Sequence, residues 1–218
     1  VVFAQGNVFP EDKLLTKQGI LDYARCYLKK PNRFALFAYS WGRLFKTSII
    51  KKNNLCFDVN LHTFEDVAFN FDYLTYTNEV FFLKEVVYNH LVHNNYASAT
   101  MNIADNPRKL FGYQKALDHI GNFLAHCNSS ANIEKEVGHA NVCLTIIQLV
   151  RTCGQVDSSN RKKIHQFIRE IVNNSSFRIK LQFYSPSKGD SKVLPVLMKL
   201  KLVYLIMLVC KYKANKRY

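Results

Sequence analysis

The sequence predicts an α/β region over about the first hundred residues and an α-helical region after it. Three observations carry this. Strand-like and helix-like stretches alternate up to about residue 104. From Asn106 onward every long periodic stretch has the 3.6-residue spacing of a helix. Clusters of Asn, Ser, Gly and Asp separate those stretches as turns do. The expected organisation is a mixed domain over 1–104, a helical extension over 105–185 and a basic apolar tail over 186–218.

Taken in order, Val1–Val8 reads as a short strand leading into a loop at Pro10. Lys17–Lys29 reads as a helix with Ile20, Leu21, Ala24 and Leu28 on one side, stopped by Pro31 and Asn32. "FALFAYSWGRLF" (Phe34–Phe45) is a compact aromatic segment, and "KTSIIKKNN" (Lys46–Asn54) is helix-like. Phe64, Val67, Ala68 and Phe71 fall at i, i+3, i+4 and i+7, which predicts an amphipathic helix beginning after Thr63. "EVFFLKEVVYNHLVH" (Glu79–His93) reads as two short strands broken at Lys84–Glu85. Helices are predicted over Pro107–Cys127, Ile133–Cys153 and Ser159–Asn173, with "SPSKGDS" (Ser185–Ser191) as a loop before the tail.

Composition narrows the class. Of 218 residues, 48% are hydrophobic and 13% aromatic, enough to bury a sizeable core and to exclude a disordered chain. Six cysteines show no C-x-x-C pair and no regular spacing, so they read as apolar fillers in a reducing compartment rather than a disulfide framework. The opening "VVFAQGNVFPED" has no basic segment followed by an apolar one, so it does not read as a secretory signal. It starts abruptly in a strand-like stretch, and a piece of a longer chain is expected. The net charge is +14, unevenly spread. Residues 186–218 hold eight Lys and Arg against one acid, and the first 185 hold twenty-two against fifteen, so half the excess lies in the last 33 residues. Such a skew points to a polyanion near the tail, a membrane surface or nucleic acid.

In "HTFEDVAFNF" (His62–Phe71) two carboxylates, Glu65 and Asp66, open an otherwise apolar helix. Thr63 and Asp66 have the spacing of a capping box, in which each side chain satisfies a backbone N–H of the first turn. Negative charge there also complements the helix dipole. A catalytic role is the alternative, and the neighbouring motifs favour it.

Three motifs in order, "SWGRLFKTSII" (Ser40–Ile50), "TFEDVAFNFDYL" (Thr63–Leu74) and "VYNHLVHNNYAS" (Val87–Ser98), make this block similar to the C-terminal half of an inverting glycosyltransferase of family 2, with the Rossmann-like GT-A fold. The resemblance covers about sixty residues well. It implies transfer of a sugar from a nucleotide-sugar donor to a surface-glycan or lipid-linked acceptor, as in polysaccharide, lipopolysaccharide or capsule synthesis on the cytoplasmic face of a bacterial membrane. It implies Asp66 as the general base and Glu65 as the residue that orients the acceptor or a nearby loop. The two side chains point about 100° apart on a helix and cannot share one role. A carboxylate suits a base if it lies within about 2.6–3.2 Å of the acceptor hydroxyl.

Trp41, the single tryptophan, reads either as a core anchor or as a wall on which an acceptor sugar stacks. Arg43 and Lys46 read either as solvated charges or as contacts to the donor diphosphate. His90 and His93 have the H-x-x-H spacing, but i and i+3 on a strand project to opposite faces, so no zinc site is expected. By resemblance His93 approaches the donor phosphates; Tyr88 and His90 are expected to pack. The resemblance further implies Mn²⁺ or Mg²⁺ held by an Asp-x-Asp motif. The sequence has no Asp-x-Asp, its nearest mimic being Glu134-Lys-Glu136. No metal ligand is therefore assigned, and the donor half is expected to precede this chain.

In the tail, the uninterrupted apolar run Leu202–Cys210 is nine residues, against the roughly twenty that span a bilayer. With Lys211, Lys213, Lys216 and Arg217 behind it, residues 192–218 read as a helix lying on an anionic membrane surface. The alternative is a buried terminal helix with a solvated basic end. A non-enzymatic basic module, binding nucleic acid or an anionic membrane, is the rival function. Nucleic acid would call for Lys and Arg interleaved with exposed aromatics, and the tail interleaves them with Leu, Ile, Val and Met.

Overall fold

In the computed structural model residues 11–31, 37–89, 106–127 and 132–216 are described. The expected strand at 1–8 and both His90 and His93 lie outside them. The spacing over Lys17–Lys29 produces a helix with those bounds, α1, burying Ile20, Ala24, Tyr27 and Leu28. It is preceded by a strand, β1 (Lys13–Thr16), in a stretch to which the sequence assigned no element. The helix-like Lys46–Asn54 yields α2 (Thr47–Lys52), and the run after Thr63 yields α3 (Glu65–Thr75). Strand β2 (Glu79–Phe82) pairs antiparallel with β1, Lys13 opposite Phe82 and Thr16 opposite Glu79. The second strand expected after Lys84–Glu85 does not form over residues 86–89, where Val86, Val87 and Tyr88 stand exposed without a strand partner.

The rest is helical. The three predicted helices appear as α4 (Asn106–His126), α5 (Ile133–Gly154) and α6 (Arg161–Asn173). A short α7 (Ser175–Lys180) and a 3₁₀ turn (Leu181–Phe183) lead into the loop at 184–192. The tail folds as two helices, α8 (Val193–Lys199) and α9 (Val203–Asn215). The described residues are thus mainly α-helical, and their only sheet is β1–β2. The parallel Rossmann-like sheet implied by the resemblance is not among them.

Two hydrophobic cores hold these elements. The first gathers Leu28, Phe37, Phe71, Leu74 and Phe82 with Leu117, Ile120, Phe123 and Leu124 of α4, and Ala140 and Leu144 of α5. It therefore joins residues on both sides of the expected boundary at 104/105. The second gathers Leu149, Val150 and Cys153 of α5 with Ile168, Phe177, Leu194, Met198, Ile206 and Cys210. Helix α5 contributes to both, which is why most of its residues from Gly138 to Cys153 are buried.

Polar contacts at the edges of the first core fix α3. Lys17 Nζ donates to the carbonyls of Leu74, Thr75 and Thr77 at 2.8, 3.1 and 3.0 Å, placing a cation on the carbonyl end of α3 where the helix dipole favours it. Asp72 Oδ1 lies 2.6 Å from Nδ1 of His119 on α4. That hydrogen bond, together with the charge of Asp72 and against partial burial, raises the His119 pKa above its ordinary 6.5. A raised pKa makes the pair's stabilisation complete below the unfolded value and lost as pH climbs through the folded one. The melting temperature of Asp72→Asn is accordingly expected to lie below wild type at about pH 6, with the gap closing as pH rises beyond neutrality. A gap independent of pH would show that His119 is not the titrating partner.

Candidate functional site

Glu65 and Asp66 occupy the first turn of α3, both half-exposed. The capping box predicted for Thr63 and Asp66 is not made. The N-cap position is taken by Phe64, in the left-handed region at φ 67°, and no side chain caps the helix. The physical reason is α4. Gly112 packs so tightly on Thr63 that a Cβ there would strike the Thr63 carbonyl oxygen and lie 2.8 Å from its hydroxyl. Thr63 is consequently buried with no hydrogen bond to its Oγ1, and the Phe64 ring meets Tyr113 of α4 edge-on at 4.4 Å. Docking against α4 has overridden the local cap.

One turn on from Asp66 stands Asn70, on the same face of the helix. Its buried amide donates to the carbonyls of Phe37 and Tyr39 at 2.8 and 2.9 Å, so the aromatic segment is tied to the Asp66 side of α3. Arg43 follows in that segment. Its guanidinium lies 5.5 Å from the Phe37 ring centroid. Burial pushes its pKa down to about 10, against the opposing influence of Tyr23 and of the Asp66 carboxylate. It stays cationic at neutral pH, partly buried over the Phe37 ring rather than free in solvent. Lys46 is different. Its side chain is exposed, and its backbone N–H donates to the Tyr73 hydroxyl at 2.8 Å.

Trp41 is stacked between two tyrosines: Tyr39 at 4.7 Å and 27°, and Tyr88 at 5.0 Å and 24°. Gly42, at φ 66°, makes the approach of Tyr88 possible, since a Cβ there would lie 3.3 Å from that of Tyr88. With both ring faces covered, Trp41 has only its edge to offer a sugar. The exposed ring in the stack is Tyr88, 41% accessible. Sequence reasoning assigned Tyr88 to packing and passed over Tyr39 and Asn70. An amide one helical turn from Asp66 in an apolar run was the available signal.

Asp66 therefore lies within electrostatic reach of Arg43, with Glu65 on the adjoining face, and the Trp41 stack belongs to the same segment as Arg43, which Asn70 ties to α3. His93 lies outside the described residues. The described residues contain no group of three His, Cys, Asp or Glu side chains able to hold a metal ion, and Glu136 of the Glu-Lys-Glu mimic is bound to Arg25 at 2.7 Å. They do not fit the implied Mn²⁺ or Mg²⁺.

A second cluster offers no rival chemistry. His139 Nδ1 accepts from the Ser185 N–H at 3.2 Å, which leaves Nε2 to donate to the Lys29 carbonyl at 3.1 Å. The adjacent Cys143 thiol is pushed up to about 12 by burial. Such a pair does not generate a thiolate nucleophile at neutral pH.

The chain was compared with family models, with curated proteins and with solved structures, and it matches none of them.

Proposed function

We propose that this chain is the acceptor side of an inverting sugar transferase of the GT-A, Rossmann-like kind. The reading rests on the three-motif resemblance. The observation that carries it is the pair Glu65–Asp66 in the first turn of α3, unused in any cap, with Asp66 within electrostatic reach of the partly buried Arg43. In this reading the Asp66 carboxylate takes the proton of the acceptor hydroxyl as its oxygen bonds to the anomeric carbon. The bond from that carbon to the donor phosphate breaks, and the nucleoside diphosphate leaves with the electron pair. Arg43 contributes positive charge beside the reacting groups in a partly desolvated setting, where it acts more strongly than in water. The Tyr88 face and the Trp41 edge supply apolar contact for the C–H surface of the acceptor.

The reading requires a nucleotide-sugar and divalent-cation site that the described residues do not supply, and no step is assigned to the metal. No helix among the described residues is long and apolar enough to cross a membrane. A glycan or lipid-linked acceptor on the cytoplasmic side of a membrane fits a peripheral location. The test is stereochemical. Full-length protein given a panel of nucleotide sugars with Mn²⁺ and a membrane extract is expected to release nucleoside diphosphate and to form a product of inverted anomeric configuration, read by NMR. A product of retained configuration, or no release with any donor, would overturn the assignment.

A further inference from the structure

Helix α9 is apolar on both sides. One side, Ile206, Met207, Cys210 and Ala214, is buried in the second core. The other bears Tyr204, Leu205, Leu208 and Tyr212, which are 63, 45, 64 and 60% exposed. At 100° per residue these four fall within about 100° of arc, with Lys211 at one border and Lys216 at the other. Helix α8 repeats the pattern: Val193, Val196 and Leu200 fall at i, i+3 and i+7 and are each more than half exposed. Between α9 and the start of α6 opens a cavity of about 440 Å³, walled mainly by Val156, Tyr204, Met207 and Leu208, with Arg161 and Lys211 also lining it. The one acid there, Asp157, is spent locally. Its Oδ1 accepts from the backbone N–H groups of Ser159 and Asn160 at 2.8 and 3.0 Å and from the Ser159 hydroxyl at 2.6 Å.

An open apolar face of this kind marks an interaction surface, and its charge selects the occupant. The last 33 residues carry a net +7, so a second copy of the chain would bring like charges together. Tyr and Leu bordered by Lys suit the boundary between lipid headgroups and acyl chains. We propose that the open face of α9 lies on an anionic phospholipid bilayer, with the cavity beside Arg161 and Lys211 seating one lipid. The apolar wall takes the upper acyl chain and the two cations take the headgroup phosphate. The inference deepens the peripheral location proposed above and is independent of the sugar chemistry.

Sedimentation of the full chain with vesicles of phosphatidylcholine alone, or mixed with phosphatidylglycerol, tests it. Wild type is expected to partition into the anionic vesicles and far less into the neutral ones. Leu208→Ser with Tyr204→Ser changes exposed positions, so the circular-dichroism melt should hold while partitioning falls at least tenfold. Arg161→Gln with Lys211→Gln should lose about fivefold per cation, and added salt should erase that difference. Wild type that ignores anionic vesicles would end the membrane reading itself. Wild type that binds them equally well with Ser at 204 and 208 would place the contact elsewhere and overturn this inference alone. A lipid-free dimer that those same substitutions dissociate would make a second copy the occupant, with the same result.

Discussion

Asp66→Asn in the full-length protein is expected to lower transferase turnover by about 10²–10⁴-fold, the usual worth of a positioned general base, with the melting temperature nearly unchanged. Asn keeps the shape of the side chain and is tolerated at the start of a helix, so the loss isolates the proton acceptor. The structural alternative has become weaker. Thr63 does not cap α3 and its hydroxyl is turned against α4, which leaves two structural roles for Asp66: the helix dipole, worth at most about 1 kcal/mol at such exposure, and its attraction to the Arg43 cation. Glu65→Gln provides the contrast. If Glu65 only orients the acceptor, its replacement should raise the acceptor KM more than it lowers kcat. Asp66→Asn that keeps more than about half of wild-type turnover would remove Asp66 from the chemistry.

How far the sequence carried depended on whether the deciding interaction was local. Helices α1, α5 and α6 were legible because their apolar spacing is regular and Pro, Asn or Gly punctuates them. Thr63 was misread because a cap is a local rule, and what overrules it is Gly112, forty-nine positions away and recognisable only once α4 is docked. Strand β1 was missed for the same reason: "KLLT" has no strand signature of its own and pairs because Lys17 and the first core bring it to β2. At the site, Trp41 and Asp66 were visible as residue types, but the faces of the Trp41 ring are claimed by Tyr39 and by Tyr88, forty-seven residues on. Burial of Arg43 over Phe37 likewise depends on how the segment folds back along Asn70.

Deleting residues 203–218 is expected to unfold the second core rather than merely detach the protein from lipid. Sequence reasoning left two alternatives for the tail, a membrane-interface helix or a seal on a core, and the structure gives α9 the second role on one side. Ile206 and Cys210 are fully buried, with Met207 and Ala214 close behind. A Cβ added at Gly154 of α5 would lie only 2.8 Å from that of Ala214, a measure of how closely the two helices approach. Burial of Ile and Met side chains is worth about 1.5–3 kcal/mol each, and removing them also uncovers Leu149, Cys153 and Ile168, with which they share the second core. The total is on the order of 5–10 kcal/mol, comparable to the whole stability of an ordinary domain. The truncated chain should therefore be insoluble, or should lose its cooperative melt, whether or not vesicles are present. If it instead remains soluble with a melting temperature within a few degrees of wild type, α9 is an appendage and its buried face contributes little.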